Sequence, residues 1–351
     1  MKRMAILVSL CLVPVAAAVG QSGLQNVAVV NLTRSEPITV NQLRTEVNRM
    51  GTALGQALTP QQRREVLDAM INERLVLQAA ERDRVQVTDN ELNQHIAGLR
   101  AQMVPMLGRQ PTDAEFTNAV RTQTGLEMGE FREQTRRQLI QQNYLLSQKR
   151  TLLETITAPT DREIVSMFEL TRSQFVRPET VRLSVIQIPY GQDAAARTQA
   201  RTLADSLARE IGTSAARFNE VMARAQTPNS GFQAGDFGFL PRNLEAVQRL
   251  GQEFVTLAFS LRSGQISGVI EGPLGSGYQI LLATETHSMR NLELDDIAQL
   301  GSTVTVRAYI SNMIMQDRQM TTFTKAVEEL HTELRAGGRT FQIFEANLNN
   351  W

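Results

Sequence analysis

The chain has 351 residues, and its 36 lysines and arginines are balanced by 36 aspartates and glutamates, for a formal net charge of +0. That balance argues against nucleic acid as the main partner, because a polyanion is gripped by a clustered excess of positive charge. Cys11 is the single cysteine, which excludes an internal disulfide framework, and a chain of this length is ample for two unstapled cores.

The first residues, Met1-Lys2-Arg3, are basic, an apolar run over 4–15 follows, and Ala16-Ala17-Ala18 ends it. This is the pattern of a cleavable secretory signal, cut after Ala18 or after Gly20. The run is too short for a bilayer span, which takes about 20 apolar residues. Leu10 precedes Cys11, where a lipid-anchoring signal has a small residue, so no lipid anchor is expected. Removal of residues 1–20 takes away the cysteine, and with it any thiol nucleophile or thiolate metal ligand. Lysine is nearly absent (Lys2, Lys149 and Lys325), so the basic complement is arginine.

Residues 26–31 (NVAVVN) read as a short β-branched strand. Helices then dominate to about Arg172, and a repeated device marks their starts. In Thr-x-x-Glu or Thr-x-x-Gln, the threonine caps one orphan N–H and the acid or amide caps another. The pairs are Thr59/Gln62 (with Pro60 at the first helical position), Thr88/Glu91, Thr112/Glu115 and Thr160/Glu163. Val66, Leu67, Met70, Ile71 and Leu75 then recur at helical spacing, as do Leu92, His95, Ile96, Leu99 and Met103. One apolar stripe per helix predicts packing on neighbours, hence a helical domain over 21–172. His95, on such a stripe, reads as a partly buried, hydrogen-bonded histidine. His287 and His331 are equally isolated in sequence, so no metal site is expected. Met103, Met106 and Met128 are candidate adaptable contacts in an apolar groove.

The character changes at Arg177-Pro178, within a linker over 173–178. Residues 182–189 (RLSVIQIP) alternate like a strand, and 194–211 form an amphipathic helix with a second short one over 218–225. A glycine-bearing loop over 227–238 leads into 254–261, and 276–282 (SGYQILL) reads as another strand. Strands mixed with helices over 179–287 predict a compact α+β unit. The tail, 288–351, carries a long helix over about 304–334, stopped by Gly337-Gly338. Its last segment, 340–348 (TFQIFEANL), reads as a strand. A lone strand needs a sheet, and 26–31 is the unpaired candidate, so the tail is expected to pack back on the helical domain. The fold class is α+β: a mostly helical domain completed by the C-terminal helix and strand, with an α+β domain inserted.

Over 179–286 the chain resembles the parvulin (PpiC-type) peptidyl-prolyl isomerases. Gly235-Asp236-Phe237-Gly238-Phe239 stands where that family has Gly-Asp-Leu-Gly, FVTLAFSLRSGQISG (254–268) matches its Phe-rich stretch, and 277–282 its Gly-aromatic-His-Ile strand. The rest resembles SurA-type periplasmic chaperones, with one parvulin-like unit between helical parts. The resemblance implies an exported protein that holds unfolded or nascent envelope polypeptides, outer-membrane and secreted proteins among them, without nucleic acid, metal or small-molecule cofactor. The alternative is an active prolyl isomerase assisting envelope folding. It further implies a polar cluster of two histidines and a cysteine or aspartate, whose positions here are Val185, Gln279 and Pro228. With all three replaced, weak or absent isomerase activity is expected. The apolar lining it implies persists in Phe237, Phe254 and Phe259, with Ser276 beside it; Phe254 reads as pocket and Phe259 as core.

Overall fold

The computed structural model describes residues 24–349 apart from Gln192 and Asn229; the expected signal segment lies outside the described residues. The chain divides into two compact units, one of residues up to Thr157 together with Arg318 onward, the other Ala158–Asp317.

The first unit is built on strand Asn26–Val30, paired antiparallel on one edge with Glu36–Thr39 and on the other with Phe341–Ile343. Val27, Ala28 and Val30 are buried from this β-branched run. Both edges are therefore closed, one of them by the other end of the chain. The terminal strand is shorter than 340–348: Phe344 N–H donates to the Val27 carbonyl at 2.9 Å, and the chain then turns into helix Glu345–Asn349. The physical reason is that the five-residue partner is used up, since the Asn26 carbonyl accepts from the Asn347 side chain instead. Leu348 on that turn enters the core.

Among the described residues, five helices begin with the threonine capping box, at Thr39, Thr59, Thr88, Thr112 and Thr160. Four were legible as such, and Thr39/Gln42 opens the unanticipated helix Val40–Leu54. Helix Pro60–Arg82 is the spine of the first unit: Leu67, Ile71 and Leu75 are fully buried. Its buried Gln78 accepts backbone N–H groups of Leu32 and Thr33 at 3.1 and 3.0 Å and donates to Glu36 at 3.1 Å, tying the turn between the first two strands to the helix. Helix Asp89–Ala101 behaves differently from its stripe: only Leu92 is buried, and His95 is exposed rather than part of a core. The helix is held by polar ties at both ends, Arg136 to Asp89 and Arg132 to Asn93 at its start and Arg100 to Asp113 at its end, while Ile96 and Leu99 stay half-buried.

The long helix spans Val306–Ala336. In the first unit it buries Ala326, Leu330 and Leu334, and it is fixed by two polar clasps. Buried Lys149 reaches Glu333 at 2.6 Å and Glu329 at 3.4 Å. Arg335 donates to Asn72 at 2.7 Å and Asp68 at 2.9 Å, and the Asn72 amide meets His331 Nδ1 at 3.2 Å.

The second unit carries a four-stranded antiparallel sheet in the order Gln233–Pro241, Thr180–Ile188, Tyr278–His287, Ile270–Glu271. Alternation along the central strand sends Ile186 and Ile188 to one face, against helices Ala194–Ile211 and Ala215–Arg224. Val181, Leu183 and Val185 go to the other, against helices Leu244–Leu250 and Gln252–Ser260. The segment expected as a linker pairs instead: Val176–Arg177 forms a two-stranded ribbon with Arg290–Asn291. Helix Asp161–Thr171 joins the same unit, where Ile164 and Phe168 pack on Leu292, Val306 and Ile310. The contact division therefore falls outside the composition change at Arg177-Pro178, because these flanks bury their apolar residues on one another.

Candidate functional site

The motif Gly235–Phe239 lies not in a loop but in the edge strand, and it builds a bulge. Leu183 stands opposite Gly238 and Ser184 opposite Asp236, so Phe237 is the extra residue. Gly238 takes φ +86°, a conformation that glycine adopts without strain. Asp236 fixes the bulge, its carboxylate accepting the Gly238 N–H at 3.0 Å and Arg182 at 2.7 Å. Arg182 also reaches Glu285 on the far neighbour strand at 2.9 Å, so one guanidinium spans three strands. The Arg182 guanidinium holds the Asp236 carboxyl below the usual carboxylate range. The motif thus serves to present Phe237, 38% exposed, with its ring centroid 6.0 Å from that of buried Phe254.

Beside Phe237 opens a cavity of about 250 Å³, lined also by Val185, Gln187, Gln233 and Gln279. Val185 and Gln279 lie on adjacent strands and face this space together. Gly277 makes the closing strand possible: at φ +136° a Cβ there would fall 2.2 Å from the Ile188 carbonyl oxygen. Of the other expected site residues, Pro228 is exposed in the turn before the edge strand and does not line the cavity. Phe254, expected as pocket, does not line the cavity; it lies buried in the core behind Phe237. Phe259 lies elsewhere, packed on the core with the Arg242 guanidinium 5.4 Å above its ring, beside a different hollow of about 220 Å³. Ser276 is exposed, and its carbonyl accepts the Gln187 amide at 3.2 Å. Gln187 and Gln233 were missed; the strand alternation that puts Gln187 on the face of Val185 was available in RLSVIQIP. Among the described residues no titratable ring lines the cavity, and its acid, Asp236, is engaged by Arg182.

The first unit has a larger groove, about 750 Å³, between helices Val40–Leu54, Pro60–Arg82 and Met128–Gln148. Met50, Leu54 and Met70 give it an apolar floor, and Glu46, Arg49, Glu73 and Arg137 a rim of both signs. Its volume lies within the range of ligand clefts. Met50 and Leu54 are 38% and 57% exposed, a cost in apolar surface left in water. The methionines singled out in the sequence are placed elsewhere: Met106 is exposed on the short helix Val104–Leu107, and Met103 and Met128 are half-buried outside the groove. Among the described residues no helix is long and apolar enough to cross a membrane, and no group of three or more His, Cys, Asp or Glu side chains is placed to hold a metal.

The second unit's sheet, its bulged Gly-Asp-Phe-Gly strand and its helical cover define a parvulin-type domain, and residues 159–299 match the family described as PPIC-type PPIASE domain. Residues 2–145 match the SurA-like N-terminal domain. The chain thus carries a match to a SurA-like N-terminal domain followed by a match to a PPIC-type domain. It is 25% identical over 293 residues to Chaperone SurA of Alcanivorax borkumensis, covering 82% of this chain and 60% of that one. To Chaperone SurA of Vibrio cholerae it is 25% identical over 239 residues, 67% of this chain and 50% of that one. The chain thus spans about half to three-fifths of the length of these curated relatives. Among solved structures, a SurA-like chaperone of Campylobacter jejuni aligns over 91% of this chain and 98% of its own with 13% identity and a TM-score of 0.36. The foldase protein PrsA of Streptococcus pneumoniae aligns over 90% and 95% with 15% identity and a TM-score of 0.29.

Proposed function

We propose that the chain is a periplasmic chaperone that holds unfolded or nascent envelope polypeptides, outer-membrane and secreted proteins among them, and that its PPIC-type domain does not accelerate prolyl isomerisation. The observation that carries the holding function is the groove of the first unit. Exposed Met50 and Leu54 on its floor offer adaptable apolar contact to many sequences, and a rim of both charge signs tolerates segments of either. The names of the curated relatives support the same reading. Export rests on the basic start, apolar run and alanines of residues 1–20; N-terminal sequencing of the exported chain is expected to begin at Val19 or Gln21, and recovery of Met1 would contradict it.

Twisting an X-Pro amide means lowering a barrier of about 18–20 kcal/mol with polar groups placed where charge shifts. Val185 offers no hydrogen bond, Gln279 has no titratable ring, and Pro228 does not line the cavity and has neither thiol nor carboxylate. Loss of one preorganised donor typically costs about 2.7–4 kcal/mol in enzymes of other classes. The match to the PPIC-type family favours the second reading, an active isomerase. Exchange spectroscopy on a short X-Pro peptide decides: a rate at background supports the first reading, and one typical of parvulins overturns it. Suppression of aggregation of a chemically unfolded outer-membrane protein tests the holding function directly.

A further inference from the structure

The groove of the first unit begins where the described chain begins. Leu24 is the first described residue and is 74% exposed. The main-chain carbonyl of its neighbour Gln25 accepts the Val40 N–H at 2.9 Å. Val40 in turn opens the helix that supplies Asn41, Gln42 and Thr45 to the groove wall. Residues 1–23, outside the described residues, therefore join the molecule at one end of this groove. The wall runs on to Leu54, about 20 Å of helix at the usual rise. Residues 4–13 (MAILVSLCLV) are apolar but for Ser9 and as a helix would measure about 15 Å, with Pro14 to end it. At full extension residues 14–23 span about 33 Å, so the tether reaches along the whole groove. The walls are helices whose N–H and C=O groups bond within themselves, so an extended segment finds no ladder there. A helix brings its own hydrogen bonds and asks only for apolar contact. Ile6, Leu10 and Val13 recur at helical spacing and give one stripe for the floor of Met50, Leu54 and Met70.

Charge sets the direction. Two acids of the rim are paired with arginine, Glu46 with Arg49 and Glu73 with Arg137 at 3.8 Å. Glu65, which also lines the groove, meets only the Gln61 amide among the described residues, at 3.3 Å. It stands near the start of helix Pro60–Arg82, which the connection 55–59 sets beside Leu54, at the end away from Val40. A helix laid down the groove from the Val40 end brings its N-terminus there, with Lys2 and Arg3 foremost.

We propose that in the uncleaved chain residues 1–13 fill this groove as a helix, the apolar stripe on Met50, Leu54 and Met70 and the basic start at Glu65. The groove then becomes free for other polypeptides only when that segment is removed. This rests on the reading of residues 1–20 as a cleaved signal and of the groove as the holding site.

The test compares the full 351-residue chain with the chain that begins at Gln21, using a fluorescent synthetic peptide of residues 1–13 as the probe. Anisotropy is expected to show saturable binding to the shorter chain. Binding to the full chain should be at least about 10-fold weaker, because its tethered copy competes at a millimolar effective concentration. Met50→Glu with Leu54→Glu in the shorter chain should weaken the probe by at least about 10-fold, as both side chains forfeit apolar burial. Glu65→Arg should weaken it by about 2- to 5-fold, the range of an exposed ion pair. A probe carrying Lys2→Glu and Arg3→Glu should recover that loss on the Glu65→Arg chain. No saturable binding to the shorter chain, equal binding to both chains, or binding unchanged by the floor substitutions would each overturn the proposal. So would a Glu65→Arg chain indifferent to the sign of the probe's charges. Self-association of the full chain where the shorter one is monomeric would place the segment in the groove of a second copy, and would also overturn it. If the floor variant does not fold, the two chains and the charge exchange decide. Aggregation suppression reads the holding function separately. Probe binding without protection by the shorter chain removes that function and leaves this occupancy standing; equal protection by both chains removes the occupancy and leaves holding standing.

Discussion

Substitution of Leu348 by alanine tests whether the last turn of the chain holds the first unit together. Leu348 is 8% exposed and packs in the cluster that contains Val27, Val30, Leu67 and Ile71. Truncation to alanine removes three carbons from that cluster, and at about 0.8 kcal/mol per buried CH₂ the transfer loss is about 2.4 kcal/mol. The cavity contribution should be small, because the residue sits on a short terminal helix that can settle inward, so the total belongs at the low end of the range of about 2–5 kcal/mol for such changes. In a unit of this size each kcal/mol moves the melting temperature by about 2–4 °C, which gives a drop of about 5–10 °C. The assay is thermal unfolding of the first unit alone, residues 158–317 having been excised and Thr157 joined to Arg318. Those ends are adjacent, since the Arg318 guanidinium donates to the Thr157 carbonyl at 2.9 Å. Excision also removes the second unit's transition, which would otherwise spoil a two-state reading. A shift below about 1 °C would show that the terminal turn is not part of the core and would refute the closure of the fold by its two ends.

Restoring both missing rings with Val185→His and Gln279→His should raise isomerase turnover above background, because both positions face one cavity; Val185→His alone should do little, and a double variant at background would mean that the cavity no longer admits the substrate. His331 gives a pH dependence: burial, then nearby Arg335, depresses its pKa, so its contribution to stability is full above the unfolded value of about 6.5 and is lost as pH falls below it. The first unit should therefore melt lower at pH 5 than at pH 7, and His331→Asn should flatten that difference; an unchanged profile would refute the assignment. In the second unit, Gly238→Ala should be destabilising by about 1 kcal/mol or more, as a side chain at positive φ strains the bulge, and a neutral result in urea unfolding would count against the bulge as the device that presents Phe237.

Local chemistry made much of this legible in the sequence. The threonine capping boxes are signals complete within four residues, so helices starting at Thr59, Thr88, Thr112 and Thr160 are readable directly, and Thr39/Gln42 carries the same signal. Helix 194–211 and the long C-terminal helix were legible because their apolar period is unbroken to a glycine or its equivalent. Burial was less so. The stripe of Leu92, His95 and Leu99 has helical spacing, but spacing cannot say how far a neighbour covers it: Leu92 is buried, Leu99 half-buried and His95 exposed. The glycines of Gly235–Phe239 look like a loop because a bulge uses the same φ > 0 residue as a turn. For the site, Val185, Gln279 and Phe237 come together, Phe254 lies in the core behind Phe237, and Pro228 and Phe259 do not line the cavity. A count of residues from a motif fixes position along a strand, yet across a loop, as for Pro228, it fixes nothing. The groove of Met50 and Leu54 was invisible because it is made by three helices, one of them unread.

Aggregation of an unfolded outer-membrane protein in the presence of the Met50→Glu, Leu54→Glu variant tests whether the chain holds unfolded polypeptide in the groove of the first unit. Both side chains are exposed on the groove floor, so the fold should survive, as circular dichroism would verify. The wild-type chain is expected to suppress light scattering, the chain lacking 158–317 to retain most of that protection, and the folded double variant to lose most of it. A folded double variant that protects as well as the wild type would contradict the account.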